Sequence, residues 1–455
     1  MGFFQSHSRS LGLSLFRKSS THGANALRQR QSPYLSQKFY SSTTSPDGVK
    51  RDAFGALHGF KILDLTRVLA GPFCTQILAD YGADVIKVEQ PGKGDDTRYW
   101  RTEGEGEKWA TDGISCYFAC VNRNKRSVTL NLKSEKGREI LLDLVKNSDV
   151  VVENFVPGKM DELGLGYEVL SKINPAIIHA SISGYGAAGP YAQRAGYDII
   201  AAAEGGLLHI TGEADGPPTK PGIGLVDLCT GLYMHGAIMA ALQARRRTGK
   251  GQKLDGSLFE TQLSMLINVA SSWLNMGQEA QRWGTAHPSI VPYEAFKTKD
   301  SYLVLGATNN RQFRVLAERL GRPDLAANER YLTNDLRVRN RIELNGILYD
   351  LFKSKTTDEW LGVFENSGMP YGPINSLEKV FNHTQAQARQ MVQSLNFDAA
   401  VDGSFKVTGF PVKFSNTEAS IRKNPPLLGE HTDDVLEELG VSKEKLADLR
   451  REKVI

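Results

Sequence analysis

The stretch TKPGIGLVDLCTGLYMHG, residues 219–236, sets one carboxylate, Asp227, among residues that are mostly apolar, small or glycine. An ionised Asp is costly in such surroundings unless it is paired or hydrogen-bonded, and desolvation raises its pKa. Two uses are open. As a helix N-cap, Asp227 would serve the main-chain N–H groups of the run that starts Leu228, Cys229, Thr230. As a nucleophile, it would be a carboxylate held ready for covalent chemistry. On this stretch alone the cap is the simpler reading.

The other residue types that often carry chemistry form no pattern. The four cysteines, Cys74, Cys116, Cys120 and Cys229, include no CxxC, and the nine histidines never approach HExxH. No metal site and no disulfide scaffold is expected, and free thiols fit a reducing compartment.

The elements that must position Asp227 read as α/β. FKILDL is a strand, AGPFCTQILADYGA a helix ending at Gly82, and ADVIKVE a strand. SVTLNL, SEKGREILLDLVKNS and DVVVEN repeat the unit, and AIIHASISGYG adds a buried strand. This alternation predicts a parallel, Rossmann-like sheet with helices on both faces. The first helix lacks GxGxxG, which argues against a dehydrogenase. LFETQLSMLINVASSWLNMG reads as one helix. Beyond it, SYLVLGA alternates with NRQFRVLAERLG and RIELNGILYDLFKSK, which predicts a smaller α/β domain. The expected boundaries are a large domain from 55–260 and 395–455, and a small one over 285–380 with linkers on either side. The end, from residue 429, reads as amphipathic helix.

In 455 residues, 40% are hydrophobic and 23% charged, as in a soluble globular protein. A net charge of +4 with no basic block among aromatics gives no reason to expect nucleic acid. Apolar runs such as HGAIMAAL look too short to span a bilayer. Residues 1–46 contain no Asp or Glu, six Lys or Arg and eleven Ser, the composition of a mitochondrial transit peptide. The expected location is the mitochondrial matrix.

Six segments in order, GFKILDLTRVLAGPFCTQILADYGADVIKVEQPGKGDDTR, NRNKRSVTLNLK, VENFVPG, RAGYDII, LVDLCTGLY and PPLLGEHTDDVL, resemble the class III coenzyme A transferases. That family includes formyl-CoA and carnitine-CoA transferases and the α-methylacyl-CoA racemases. RAGYD, LLHITGEADGPPTKPG and RWGTAHPSIVPYEAFKTKD are similar to its mitochondrial branch acting on succinyl-CoA with glutarate or hydroxymethylglutarate. The resemblance implies an interlocked-ring homodimer, acyl-CoA and dicarboxylic acid substrates, and no cofactor, with coenzyme A (CoA) itself a substrate. It makes Asp227 the catalytic carboxylate, carrying an acyl anhydride and then a CoA thioester. Leu69, Ala70, Leu130, Lys133, Asn154 and Phe155 become the CoA contacts, with Tyr197 and Asp198 along the pantetheine–acyl channel.

Gln90 and Glu162 stand where formyl-CoA transferases carry arginines, with Lys159 or Lys125 as substitutes. For the far carboxylate of a dicarboxylate the candidates are Arg123, then Arg67, because a guanidinium fork binds carboxylate in bidentate fashion. His287 is a candidate for the acyl pocket. The racemase branch has a histidine at the place of Tyr197, whose ordinary pKa of about 10 makes it a poor base near neutrality. Racemisation and a silent CoA-binding scaffold are the alternatives.

Overall fold

A computed structural model of the chain describes residues 42–44, 50–52, 55–109 and 113–455. The expected leader lies outside the described residues except for β1 (Ser42–Thr44), which pairs antiparallel with β2 (Lys50–Asp52). The unit Ser42–Ile455 is described below.

Six parallel strands carry the fold: β3 (Lys61–Asp64), β4 (Asp84–Glu89), β5 (Lys125–Thr129), β6 (Val150–Glu153), β7 (Ile178–Ser183) and β8 (Gln252–Ser257). Their order across the sheet is β5-β4-β3-β6-β7-β8. Chain order therefore reverses between β3 and β6, the switch point where open α/β sheets bind ligands at the carboxyl ends of their strands.

The side-chain period of two sends alternate residues to opposite faces. Ile62, Val85, Val150 and Val152 join one core with Cys74 and Leu78 of α1 (Ala70–Asp80). Leu63, Ile86, Val128 and Val151 join another with Leu141 and Leu144 of α2 (Glu135–Lys146). Apolar residues on both faces are what a strand covered by helices on both sides requires.

The long helix α3 (Leu225–Thr248) packs on α1 in the first core, through Met234, Ile238 and Leu242. At Gly231 a Cβ would come within 2.7 Å of the Ala70 carbonyl oxygen, so a side chain there would force the two helices apart. Contrary to the short runs read from sequence, α3 is long and apolar enough to cross a bilayer by length and composition. It is instead the central helix beside the sheet, with Val226, Thr230 and Ile238 buried.

The helix expected over 258–277 is broken into Leu258–Met265 and Ile267–Met276, with Ile267 at φ +40°. In the 285–380 region the expected strand is β10 (Tyr302–Gly306), but it lies between two strands that the sequence did not reveal. These are β9 (Tyr293–Lys297) and β11 (Tyr371–Pro373), both antiparallel to it. A further hairpin, β12 (Val392–Asn396) with β13 (Ser404–Thr408), was equally unread. Its Phe405 packs with Phe397, Phe118 and Ile114, tying it to the large sheet's side of the unit. The C-terminal stretch forms two helices, Thr432–Glu438 and Lys443–Arg451, rather than one.

Candidate active site

The turns that follow β3 and β6 face each other across the switch point. With the chain after β7 and the start of α3, they enclose a cavity of about 410 Å³. Arg67, Val68, Leu69 and Ala70 come from the first turn, Asn154, Phe155 and Lys159 from the second, and Asp227 from α3. The Asn154 amide fastens the two turns together: its Oδ1 accepts from Arg67 N–H at 2.9 Å and its Nδ2 donates to the Arg67 carbonyl at 2.7 Å. On the far wall Gly184 and Gly196 meet main chain to main chain. A Cβ on Gly184 would lie 2.7 Å from the Gly196 Cα.

Asp227 is not the helix cap. Gly224 is the N-cap of α3, and Asp227 occupies the third helical position with its carboxylate half-buried. The carboxylate that serves the helix N-terminus is Asp198, whose Oδ1 accepts from Val226 N–H at 2.8 Å and Asp227 N–H at 3.1 Å. Asp198 thus turns to the helix rather than into the channel expected for it.

Asp227 is left without such bonds. Burial, and then the negative charge of Asp198, push its pKa up to about 7. Such a carboxylate is more basic than an ordinary Asp, and nucleophilic strength follows basicity. The Tyr117 phenol also feels this charge: burial first, then Asp227, raise its pKa. Tyr117 stacks edge-on against Trp100 with ring centroids 5.5 Å apart.

A second cavity of about 250 Å³ adjoins the first, with Arg67, Phe155 and Lys159 in the wall of both. Leu130, Lys133 and Gln90 line it, so most of the residues expected to hold CoA line these two adjoining cavities. It is mostly apolar at Leu65, Val88, Leu130 and Leu163, with Lys133 and Lys159 as cations. Lys159 also pairs with Glu162 at 2.6 Å.

Besides Asp198, three expected residues line neither cavity. Arg123 is buried elsewhere, its Nη2 2.8 Å from Asp80 Oδ2 and its Nη1 donating to the Thr408 carbonyl at 2.7 Å. Its guanidinium is spent on structure. Lys125 is likewise sealed in the core, bound to Asp64 at 2.9 Å, to Asn122 and to the Pro72 carbonyl. His287 lies by the small sheet, its ring edge-on to Tyr293 and its Nδ1 accepting from Ser289 N–H.

Two residues were missed by sequence reasoning. Arg194 lines the Asp227 cavity and pairs with Glu204 at 2.7 Å. It sits inside the quoted RAGYD segment, which was the available signal. Tyr117 carried no signal at all, since only the fold brings it near Asp227.

The family model for CoA-transferase family III matches residues 57–432. An acyl-CoA transferase of Fusarium pseudograminearum is 58% identical over 88% of each chain. The succinyl-CoA:glutarate CoA-transferase of Mus musculus is 51% identical over 85% of this chain and 87% of its own. Among solved structures, a CAIB/BAIF family protein from Brucella suis superposes with a TM-score of 0.74 at 40% identity, over 85% of this chain and 99% of its own.

Proposed function

The chain belongs to CoA-transferase family III, and we propose that it moves CoA from succinyl-CoA to glutarate or a closely related dicarboxylate, with Asp227 as the covalent carrier. The observation that carries the reading is Asp227 itself, held half-buried in the switch-point cavity with its pKa raised to about 7. The substrate pair is supported by the 51% identity to the mouse succinyl-CoA:glutarate CoA-transferase.

One Asp227 oxygen attacks the thioester carbonyl; the C–S bond breaks and an acyl–aspartyl anhydride forms as CoA thiolate leaves. The thiolate then attacks Asp227 Cγ, the Cγ–O bond breaks, and succinate departs, leaving CoA on Asp227 as a thioester. An acceptor carboxylate attacks the same Cγ and displaces the thiolate, which closes the cycle on the acceptor's carbonyl and regenerates Asp227. Each step exchanges one acyl bond for another, so the reaction calls for no cofactor. Both intermediates hydrolyse readily, and excluding water from the site slows that loss.

Leu130 and Phe155 suit the adenine and Lys133 the phosphates, while Leu69, Ala70, Asn154 and Tyr197 border the thioester side. For the far carboxylate, Arg67, the second candidate from the sequence, and Arg194 line the cavity and take the place of Arg123. Among the described residues no histidine lines this cavity, and Tyr197 stands in its wall at the place of the racemase histidine.

A homodimer is supported by exposed apolar side chains: Leu232 on α3 and Ile267, Trp273, Leu274 and Met276 on the next helix pair. A matrix location is supported by the acid-free composition of residues 1–46.

The test is to incubate the mature chain and Asp227→Ala with succinyl-CoA and a panel of free dicarboxylic acids, following acyl-CoAs by mass spectrometry. Wild type yields glutaryl-CoA and the variant loses at least about 1,000-fold in rate. Turnover that survives in the variant sinks the role of Asp227. Silence from every acid sinks the substrate class.

A further inference from the structure

Residues 65–69, between β3 and α1, supply Arg67, Val68 and Leu69 to the wall of the Asp227 cavity. Side chains hold five of the six main-chain polar groups of Thr66, Arg67 and Val68. Thr66 N–H donates to Asp64 Oδ1 at 2.9 Å, and Lys87 Nζ donates to the Thr66 carbonyl at 2.8 Å. Asn154 takes both the N–H and the carbonyl of Arg67. Val68 N–H points between the two oxygens of Asp95, at 3.2 and 3.3 Å.

The conformation so fixed is not a relaxed one. Val68 has φ +72°. A β-branched side chain in that region is an outlier that persists only where its surroundings enforce it.

Asp95 is the centre of those surroundings. It is 1% exposed and accepts from Thr97 N–H at 3.0 Å, Thr97 Oγ1 at 2.8 Å and Lys87 Nζ at 3.0 Å. Burial alone would raise its pKa, but the Lys87 charge and the Thr97 bonds hold it below the usual carboxylate value. A buried ion pair contributes little net stability, because desolvation offsets the attraction. What it can contribute is a fixed geometry. One residue past Val68, Leu69 opens α1 and packs against Gly224, where a Cβ would come within 2.8 Å of Leu69 Cδ2. Gly224 is the N-cap of the helix that bears Asp227.

We propose that Asp95 is a positioning residue: paired with Lys87, it holds Val68 in the left-handed conformation and so sets Leu69 and Ala70 against the start of the Asp227 helix. The proposal rests on the reading of Asp227 as nucleophile. It accounts for a strained residue and a buried ion pair with one geometric requirement, the placement of the cavity wall.

Four versions of the full chain test it: wild type, Asp95→Asn, Val68→Gly and the double variant. Asp95→Asn keeps volume and an acceptor oxygen but removes the charge. Its kcat falls about 100-fold, the cost of a displacement near 1 Å, while KM for succinyl-CoA stays within about threefold. Glycine enters the left-handed region freely, so Val68→Gly, itself a change in the cavity wall, sets the reference kcat against which the double variant is read. In the Asp95→Asn background it restores kcat by at least about tenfold. A lowered Tm with no recovery in the double variant overturns the proposal, since a merely structural Asp95 behaves that way.

Should Asp95→Asn fail to fold, hydrogen exchange on the wild-type chain decides. Exchange across residues 65–70 as slow as in β3 supports the proposal, and exchange at the rate of a surface loop overturns it. Turnover retained by Asp227→Ala removes the nucleophile reading itself. An unchanged kcat in Asp95→Asn, with Asp227→Ala inactive, removes only the positioning role.

Discussion

The charged layer behind the β3 turn and the core of the small antiparallel region are both buried, yet they are built from opposite materials. That layer holds Asp64, Lys125, Lys87, Asp95, Glu89 and Arg98, every one of them buried, with Glu89 and Asp95 in the wall of the second cavity. Arg98 grips Glu89 through two parallel bonds of 2.8 and 2.7 Å, and Asp64 binds Lys125 at 2.9 Å. Burial alone would raise the Asp64 pKa, but Lys125, Lys87 and two threonine hydroxyls hold it well below the usual carboxylate range. The small region instead stacks Phe296 on Phe352 with centroids 4.7 Å apart, and Phe352 on Trp360 at 5.0 Å. Even the Trp360 N–H is satisfied, donating to the Phe352 carbonyl at 2.8 Å.

The difference follows from what each material can do. Apolar contact is non-directional and scales with the area removed from water, so it stabilises without dictating angles. Hydrogen-bonded charges gain little net stability but are particular about distance and direction. The charged layer places loops, and the aromatic core supplies cohesion.

The sharpest way to break this contrast is to remove one member from each side. Lys125→Met leaves Asp64 buried and unpaired, which costs about 3–5 kcal/mol and displaces the β3 turn, so activity per folded molecule falls as well. Phe352→Ala costs a similar ~3–5 kcal/mol through its cavity but leaves activity per folded molecule intact. Denaturant titration paired with assays normalised to the folded fraction reads both quantities. Equal activity losses in the two variants would mean that the materials do not divide the work.

The same division decides what the sequence discloses. Strands of Val, Ile and Leu, as in β4 and β6, announce themselves by composition, and the switch-point sheet was readable from their alternation with helices. Asp227 was visible as a lone carboxylate in a small-residue run. What the sequence hid were partnerships across distance. Arg123 in NRNKRS looks like a free cation, and nothing local reveals that Asp80, 43 positions earlier, occupies it. The roles of Asp198 as helix cap and of Tyr117 as neighbour of Asp227 are likewise products of the fold. β9 and β11 were missed because each is short and stabilised mainly by β10 between them.

A smaller effect sharpens the cavity side of the contrast. Asp198→Asn keeps an oxygen to accept from Val226 and Asp227 but removes the negative charge beside Asp227. With the Asp227 pKa raised to about 7, wild-type kcat/KM is expected to rise with pH through that value as the carboxyl ionises. A neighbouring negative charge disfavours that anion, so its removal lowers the pKa. The midpoint of the pH profile therefore moves to lower pH, and activity at pH 6 gains relative to pH 8. Burial remains the larger cause and stays in place, so the midpoint does not return to that of an exposed Asp. An unmoved midpoint would assign the whole shift to burial.

The smallest effect lies in the small region. Thr356 Oγ1 accepts from Glu359 N–H at 3.3 Å while Glu359 Oε2 accepts from Thr356 N–H at 2.7 Å, a reciprocal cap on the helix Thr357–Phe364. Trp360 and Phe364 of that helix belong to the aromatic core. Thr356→Ala removes half of the cap and costs about 1 kcal/mol. If this region supplies cohesion alone, Tm drops slightly and kcat, KM and the pH midpoint all stay where they were. A change in kcat from so remote and mild a substitution would show that the aromatic region also helps to place the reacting groups, and the contrast between the two materials would have to be redrawn.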